Sequence, residues 1–496
     1  MSPKIAVIAG AGPAGLTAAW ELLTRTDVVP VVCEMSREMG GMARTVSHHG
    51  NRMDVGGHRF FTRQERVLDW WKHFLPVAGG EGRPGPDPKA TDRVMLVRDR
   101  RSSIFFDNRF FPYPLTLDPA TLKSLGARRL ARIGLSYGKS RLFPVPEKNL
   151  EDFFVNRFGR SLYEMFFMDY TRKVWGADAA DILPQWGQER VRGLSVSAVA
   201  AHAFRRLAGA DRSLSQAGTQ VSLVERFLYP KFGPGQLWEE VAADIRRMGG
   251  TILTEHKVQE VRLEGGRVKS IRAASPGGFV DLDADYFFST MPVRHMIRAL
   301  DPGAPMTVRR AAEGLTHRNF LAVGLLADPK RTSPRPQADA AKLSDLWIYI
   351  QDSRRQVARV QLFNNWSPWM VAHPGKIWLG AEYFTGPGDP LEKAPDQEIA
   401  DMAAVELAAL GLLGKRDVAD SVVVRQKNAY PAYFAPFRQF PLVRQYLDAI
   451  ENLFCIGRNG MHRYNNMDHS MLTAMLAVDA LATGSRAKHP IWNAAA

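Results

Sequence analysis

Residues 3–34 constrain this chain more than any other segment. They read PKIAVIAGAGPAGLTAAWELLTRTDVVPVVCE: an apolar strand, a glycine turn, a helix, a second strand and then an acid. Gly10, Gly12 and Gly15 form G-x-G-x-x-G between the first strand and the helix, and Glu34 closes the second strand. This arrangement suits a dinucleotide. Gly10 permits a tight turn. Gly12 leaves bare backbone for a pyrophosphate to approach. Gly15 lets the helix lie close on the strand. The helix opens at Pro13 and Ala14, so its first amides present the positive end of the dipole to the phosphates. Glu34 is positioned to accept hydrogen bonds from both hydroxyls of an adenosine ribose.

The chain has 496 residues, 45% of them hydrophobic, enough for a large core and two domains. Charged residues at 23% exclude a disordered chain. The formal charge of +14 fits an anionic substrate, a membrane surface, nucleic acid or a plain compositional bias toward arginine. No basic run is interleaved with aromatics in the manner of a nucleic-acid groove, so no nucleic-acid partner is expected. Peripheral contact with anionic lipid is a further expectation, although no amphipathic anchor stands out. The two cysteines, Cys33 and Cys455, fall in expected strands and read as small buried apolar residues of a cytoplasmic protein. The first apolar stretch is already a strand of the fold, so no signal peptide is expected. No uninterrupted apolar run reaches the roughly 18 residues of a membrane span. The twelve histidines are scattered, and His48–His49 have no carboxylate or cysteine at ligand spacing, so no metal site is expected.

After Glu34 the chain is rich in glycine. Gly40, Gly41 and Arg44 come first, then Gly56, Gly57 and His58 before an aromatic pair. This run reads as backbone lying flat against a planar ligand. Residues 79–92 form a Pro/Gly/acid loop where the chain changes domain, and residues 118–215 read as mostly helical. Residues 233–248 give a glycine turn and an amphipathic helix. Residues 250–274 read as strands with a Gly265–Gly266 hairpin turn, and residues 286–292 as a buried strand. Alternating strands are expected within 316–385, and a helix at 396–411. Residues 452–484 read as strand, glycine-bearing turn and long helix, and the terminal IWNAAA as frayed.

The fingerprint, the Arg37–Gly41 run, GPGQLWE at 233–239 and GRNG at 457–460 together resemble flavoproteins of the glutathione-reductase type. Amine oxidases, protoporphyrinogen oxidases, phytoene desaturases and UDP-galactopyranose mutases share that fold. The resemblance implies an α/β fold: a Rossmann-like FAD-binding domain with an interleaved mixed α+β substrate domain. The FAD-binding parts would be 1–90, 221–292 and 445–490. The substrate domain would be a helical part at 91–220 and a sheet-rich part at 293–444. DVGGHRFFT (54–62), YTRKVWG (170–176), NAYPAY (428–433) and GRNGMHRYNNMDHSMLTAMLAVD (457–479) are most similar to the mutases. Around the substrate arginines, QERVRGLSV (188–196) and LTHRNFLAV (315–323) match only loosely.

The resemblance implies FAD as cofactor, with the reduced form active. In a mutase, reduced flavin N5 attacks the anomeric carbon of a sugar nucleotide while the nucleoside diphosphate departs. NADPH, NADH or another protein would supply the electrons. Gly10, Gly12, Pro13, Ala14, Gly15, Glu34, Gly40, Gly41, Arg44, Gly56, Gly57, His58, Val258, Gly457, Asp468, His469 and Ser470 would hold FAD. Arg318 and Arg458 would grip the diphosphate, helped by Arg190 or Arg192. His58 would approach N5 or serve structurally. Trp175 would stack on a nucleobase or belong to the core. Tyr430 and Tyr464 would reach phosphate oxygens. Asn466 would contact the ligand, and Asp468 would either do so or cap the following helix. The alternatives are an FAD-dependent oxidoreductase of the amine-oxidase or desaturase type, and a flavoprotein that binds without catalysis.

Overall fold

A computed structural model describes residues 3–80, 84–113, 121, 125–190, 226–328 and 344–494. The nucleotide fingerprint builds a five-stranded sheet, in the order Leu453–Cys455, Tyr286–Ser289, Lys4–Ala9, Val28–Cys33 and Thr251–Leu253. Every pairing in it is parallel, with Ala9 opposite both Cys33 and Ser289. Parallel strands covered on both faces are apolar throughout. Here Ala6 and Ile8 face a cluster containing Leu16, Leu22, Trp238 and Met471. Val7 and Ala9 face the opposite way, toward Val261, Ile271 and Met296. Both cysteines are buried and free, with burial pushing each thiol up to about 12.

The second large sheet has seven strands, in the order Val418–Pro431, His317–Ala327, Ile377–Thr385, Arg359–Leu362, Trp347–Ile350, Ser102–Phe106 and Arg109–Pro112. One face carries Leu321, Val323, Leu379 and Ala381, and the helix Asp396–Ala409 covers it. The other face carries Phe320, Ala322, Trp347 and Trp378, packed on the aromatic helices and on Met53 and Val55. The strand expected at 316–385 to alternate is instead apolar on both sides: Phe320 through Ala327 are all buried. The fourteen-residue strand Val418–Pro431 has mostly half-buried and exposed side chains, and it takes in the first four residues of NAYPAY.

Within the stretch expected to be helical, the aromatic-rich residues 150–175 form three short helices, Leu150–Phe158, Arg160–Phe166 and Met168–Trp175. The first break falls at Gly159, whose φ of 78° suits glycine and whose missing Cβ lets the Tyr137 backbone approach. The Gly265–Gly266 hairpin forms as expected, with φ of 57° and 77°. The C-terminus is better anchored than expected. Ile491 and Trp492 are buried, and Trp492 Nε1 donates to Asp448 Oδ1 at 2.8 Å. Among the described residues no helix is long and apolar enough to cross a membrane.

Candidate functional site

The fingerprint turn is shaped by what it lacks. Gly10 has φ 106°, and its N–H donates to Cys33 O at 2.8 Å. A Cβ on Gly15 would overlap the Gly10 carbonyl oxygen. Gly41 lies so near Gly12 that its Cβ would sit 3.1 Å from the Gly12 Cα. The helix Pro13–Arg25 starts with no side-chain cap and no acid in its first turn. Bare backbone beside uncapped amides fits a pyrophosphate. Glu34 is buried; one carboxylate oxygen accepts from the Ala11 amide at 2.8 Å, the other from the Ser36 amide and hydroxyl at 2.8 Å each. The His256 amide donates to Glu34 O at 2.8 Å, bringing the buried Val258 alongside the end of the second strand.

The glycine-rich run continues this floor. Gly40 N–H donates to Ala11 O at 2.9 Å. Arg44 donates to Gly41 O at 2.9 Å and to Gln426 Oε1 at 2.6 Å, and pairs with Glu38 at 2.8 Å. Gly457, at φ 74°, sits over Ala14. Gly10 thus packs on Gly15, Gly12 on Gly41, and Gly457 on Ala14. Met42, next to Gly41, lines a cavity together with Gly56, Gly57 and His58.

That cavity has a volume of about 180 Å³ and is partly open to solvent. The hairpin Thr45–His48/Asn51–Asp54 delivers Gly56, Gly57, His58 and Arg59. Strands of the seven-stranded sheet deliver Phe320, Trp347, Tyr349, Arg359, Gln426 and Tyr430. The C-terminal turn and helix deliver Arg458, Tyr464, Asn466, Met467 and Asp468. Trp347 and Tyr349, two residues apart on one strand, stack at 5.7 Å with nearly parallel rings. Gly57 lies against Trp347 so closely that no side chain fits.

His58 Nδ1 lies 2.9 Å from Gly56 O. A carbonyl can only accept, so the proton sits on Nδ1 and Nε2 keeps its lone pair. Burial and the nearby Arg458 and Arg359 push its pKa down to about 4, against the opposing pull of the Gly56 bond. His58 is therefore neutral at pH 7. Arg458 donates from Nε to Asn465 O at 2.8 Å and from Nη1 to Ala429 O at 3.2 Å, with its guanidinium 4.7 Å from the Tyr464 ring centroid and 5.5 Å from that of Tyr430.

Arg359 was not anticipated. It is buried, pairs with the fully buried Glu382, and donates to the Tyr430 hydroxyl at 3.1 Å. Burial opposes its charge, but Glu382 and Tyr430 hold its pKa well above the usual value. Its guanidinium also lies 4.9 Å from the Trp347 ring and 4.7 Å from that of Phe384. A single arginine in the apolar stretch VARVQLF was the available signal.

Other expected site residues stand elsewhere. Arg318 is outside the cavity wall: it donates to Val174 O and Phe384 O, each at 3.1 Å, beneath Gly176 and Gly386. Trp175 is buried edge-to-face with Trp186. Arg190 ends a described helix, and Arg192 lies outside the described residues. The cap position of the helix Met467–Ala482 is taken by Asn466, so Asp468 sits in its first turn, with His469 Nε2 3.9 Å from its carboxylate and Ser470 Oγ donating back to Asn466 O at 2.9 Å. The histidine pair does acquire a carboxylate: Asp420, about 370 positions away, lies 3.1 Å from His48 Nε2 and 2.8 Å from His49 Nδ1. Sequence spacing cannot reveal a partner brought in by tertiary packing.

The overall arrangement is shared with solved structures. A reduced UDP-galactopyranose mutase superposes with a TM-score of 0.77 at 21% identity, over 100% of this chain and 97% of that one. A protein from Exiguobacterium sp. 255-15, provisionally described as a protoporphyrinogen oxidase, gives 0.67 at 16% identity over 98% and 100%. Cyclohexylamine oxidase from Brevibacterium oxydans IH-35A gives 0.58 at 11% over 96% and 100%. These likenesses establish the fold. The family described as flavin containing amine oxidoreductase matches residues 13–482, and the family implies FAD. Because that match spans most of the chain, the protein belongs to the flavin containing amine oxidoreductase family.

Proposed function

We propose that the chain is a flavin-dependent sugar-nucleotide mutase, interconverting pyranose and furanose forms. The observation that carries this reading is the charge of the cavity wall. Arg59, Arg359 and Arg458 line it against one lining carboxylate, Asp468, with Glu382 paired behind Arg359. An amine substrate enters as a cation and meets like charge. A polyene packs on Phe61, Phe320 and Trp347 but offers nothing to the guanidinium groups. A nucleoside diphosphate is the matching anion, and guanidinium groups are suited to its oxygens.

The chemistry that FAD supplies when bound and reduced is a nucleophilic N5 for the anomeric carbon. The chain's own groups do the rest. Arg458, fixed by two main-chain carbonyls, presents positive charge to a departing diphosphate. Tyr430 and Tyr464 flank it with hydroxyls. The parallel Trp347 and Tyr349 rings offer a flat wall to a sugar or base. His58 stays neutral and keeps Nε2 as an acceptor.

An anaerobic assay tests the reading. The dithionite-reduced protein is offered UDP-, GDP- and dTDP-hexoses, and ring isomers are separated by chromatography. A furanose product with no net redox change is expected, and NADPH or NADH in place of dithionite should support the same turnover. If no hexose isomerises while an amine or polyene bleaches the flavin, the chain is an oxidoreductase instead. Bound FAD with neither outcome points to a binding protein.

A further inference from the structure

The helix Ala127–Leu142 is sixteen residues long, yet only Ser140 on it is buried. Its sequence, ARRLARIGLSYGKSRL, holds Arg128, Arg129, Arg132, Lys139 and Arg141 and no acid; the next four residues, FPVP, add none. Leu130, Ile133, Tyr137 and Ser140 recur at helical spacing on its inward, half-buried to buried side. The outward side carries Arg128, Arg132, Leu135, Lys139 and Leu142. Leu135 is 78% exposed, Leu142 76% and Phe143 72%. Among the described residues, four of the nine exposed large apolar side chains fall within 135–145, Val145 being the fourth. Arg129 is paired with Asp107 at 3.0 Å, so the outward charge rests on the other four cations.

We propose that this helix and the Phe143–Val145 turn dock the protein on an anionic lipid bilayer. Apolar side chains projecting among cations, with no acid between them, match the boundary between headgroups and acyl chains, where leucine and phenylalanine insert while arginine and lysine meet lipid phosphates. Charge selects this occupant over another protein core, because the four cations other than Arg129 oppose burial against an uncharged surface. At 1.5 Å per residue the helix is about 24 Å long and lies along the surface rather than across it. Its inward Leu130 shares an apolar cluster with Phe111, Phe166 and the cavity-wall residue Tyr349. The docking face is therefore one packed layer from the cavity.

The test uses the full FAD-loaded chain and vesicles of phosphatidylcholine with or without phosphatidylglycerol. Co-sedimentation with the anionic vesicles is expected, with little on phosphatidylcholine alone. The triple variant Leu135→Ser/Leu142→Ser/Phe143→Ser changes no charge and touches only exposed positions. It should keep the flavin spectrum and lower vesicle partitioning about tenfold or more, as expected for removing three inserting side chains. The companion Arg128→Gln/Arg132→Gln/Lys139→Gln keeps the apolar groups and should lose the preference for anionic lipid. Unchanged sedimentation of the serine variant would mean adsorption by net charge and would overturn the proposal. So would a lipid-free wild-type dimer that the serine variant splits, because the face would then belong to a second copy of the chain.

Discussion

The dinucleotide cradle and the cavity wall are built by opposite means. The cradle is local: Gly10, Gly12, Gly15, Gly40 and Gly41 lie within about thirty residues and act through absent side chains. The wall is assembled from residues 42 to 468, and its key groups are large side chains held by second partners: Arg359 by Glu382, Arg458 by two carbonyls, His58 by Gly56 O. Steric exclusion makes the cradle intolerant of an added Cβ at Gly10 and Gly15. Charge pairing makes the wall tolerant of shape and intolerant of losing one partner.

Substitution should expose this contrast. Gly15→Val places side-chain atoms on the Gly10 carbonyl, forcing the helix off the strand. The expected result is complete loss of bound flavin, read as a colourless purified protein. Retained yellow colour would show that the close packing is dispensable. In the wall, Arg359→Met fits the space but strands Glu382, which keeps only the Gln361 amide at 2.6 Å. Breaking a buried pair costs about 3–5 kcal/mol, and removing both charges costs much less. Urea unfolding should show that loss for Arg359→Met and substantial recovery for Arg359→Met/Glu382→Leu. If the double variant is no more stable than the single, the pair is not what holds the wall.

The same contrast explains what was legible beforehand. Glycine spacing, strand and acid all lie in one stretch of sequence, so the cradle and its order of elements could be read directly. The wall could be read only where a segment carried its own signal, as with Gly56–His58 and the Arg458–Asp468 run. Arg359 lay hidden because a lone arginine in a strand resembles an edge residue until Glu382 is placed opposite it by strand pairing. Arg318 stands outside the cavity wall, its guanidinium on the carbonyls of Val174 and Phe384, a placement that nothing in LTHRNFLAV signals. The Asp420 carboxylate beside His48 and His49 was likewise invisible to spacing.

Arg458 lies where the two regions meet, since its turn packs on the cradle through Gly457 and its guanidinium faces the cavity. Arg458→Ala should keep FAD and weaken binding of UDP about tenfold or more, the size expected for losing a charge-assisted hydrogen bond. Titration calorimetry on the yellow protein reads this directly. Loss of the flavin instead would assign the arginine to the cradle.

The smallest effect should come from Asp54, wedged between the two regions. Its carboxylate accepts from the Thr45 hydroxyl at 2.9 Å and from the Tyr229 hydroxyl, and lies against Gly233. Burial raises its pKa to about 7, outweighing those hydrogen bonds, and nearby Glu382 adds to the rise. The folded chain thus holds a proton here that the unfolded chain releases above its ordinary value of 3.8. The sign follows from linkage: this contribution is complete below pH 3.8 and lost as pH rises through about 7. Between pH 6 and pH 8 the loss amounts to about 1.4 kcal/mol. Asp54→Asn removes the titration while retaining an acceptor of the same shape. Its melting temperature should therefore fall less than that of the wild type between pH 6 and pH 8. Parallel curves would mean that Asp54 does not titrate between pH 6 and pH 8 in the folded chain.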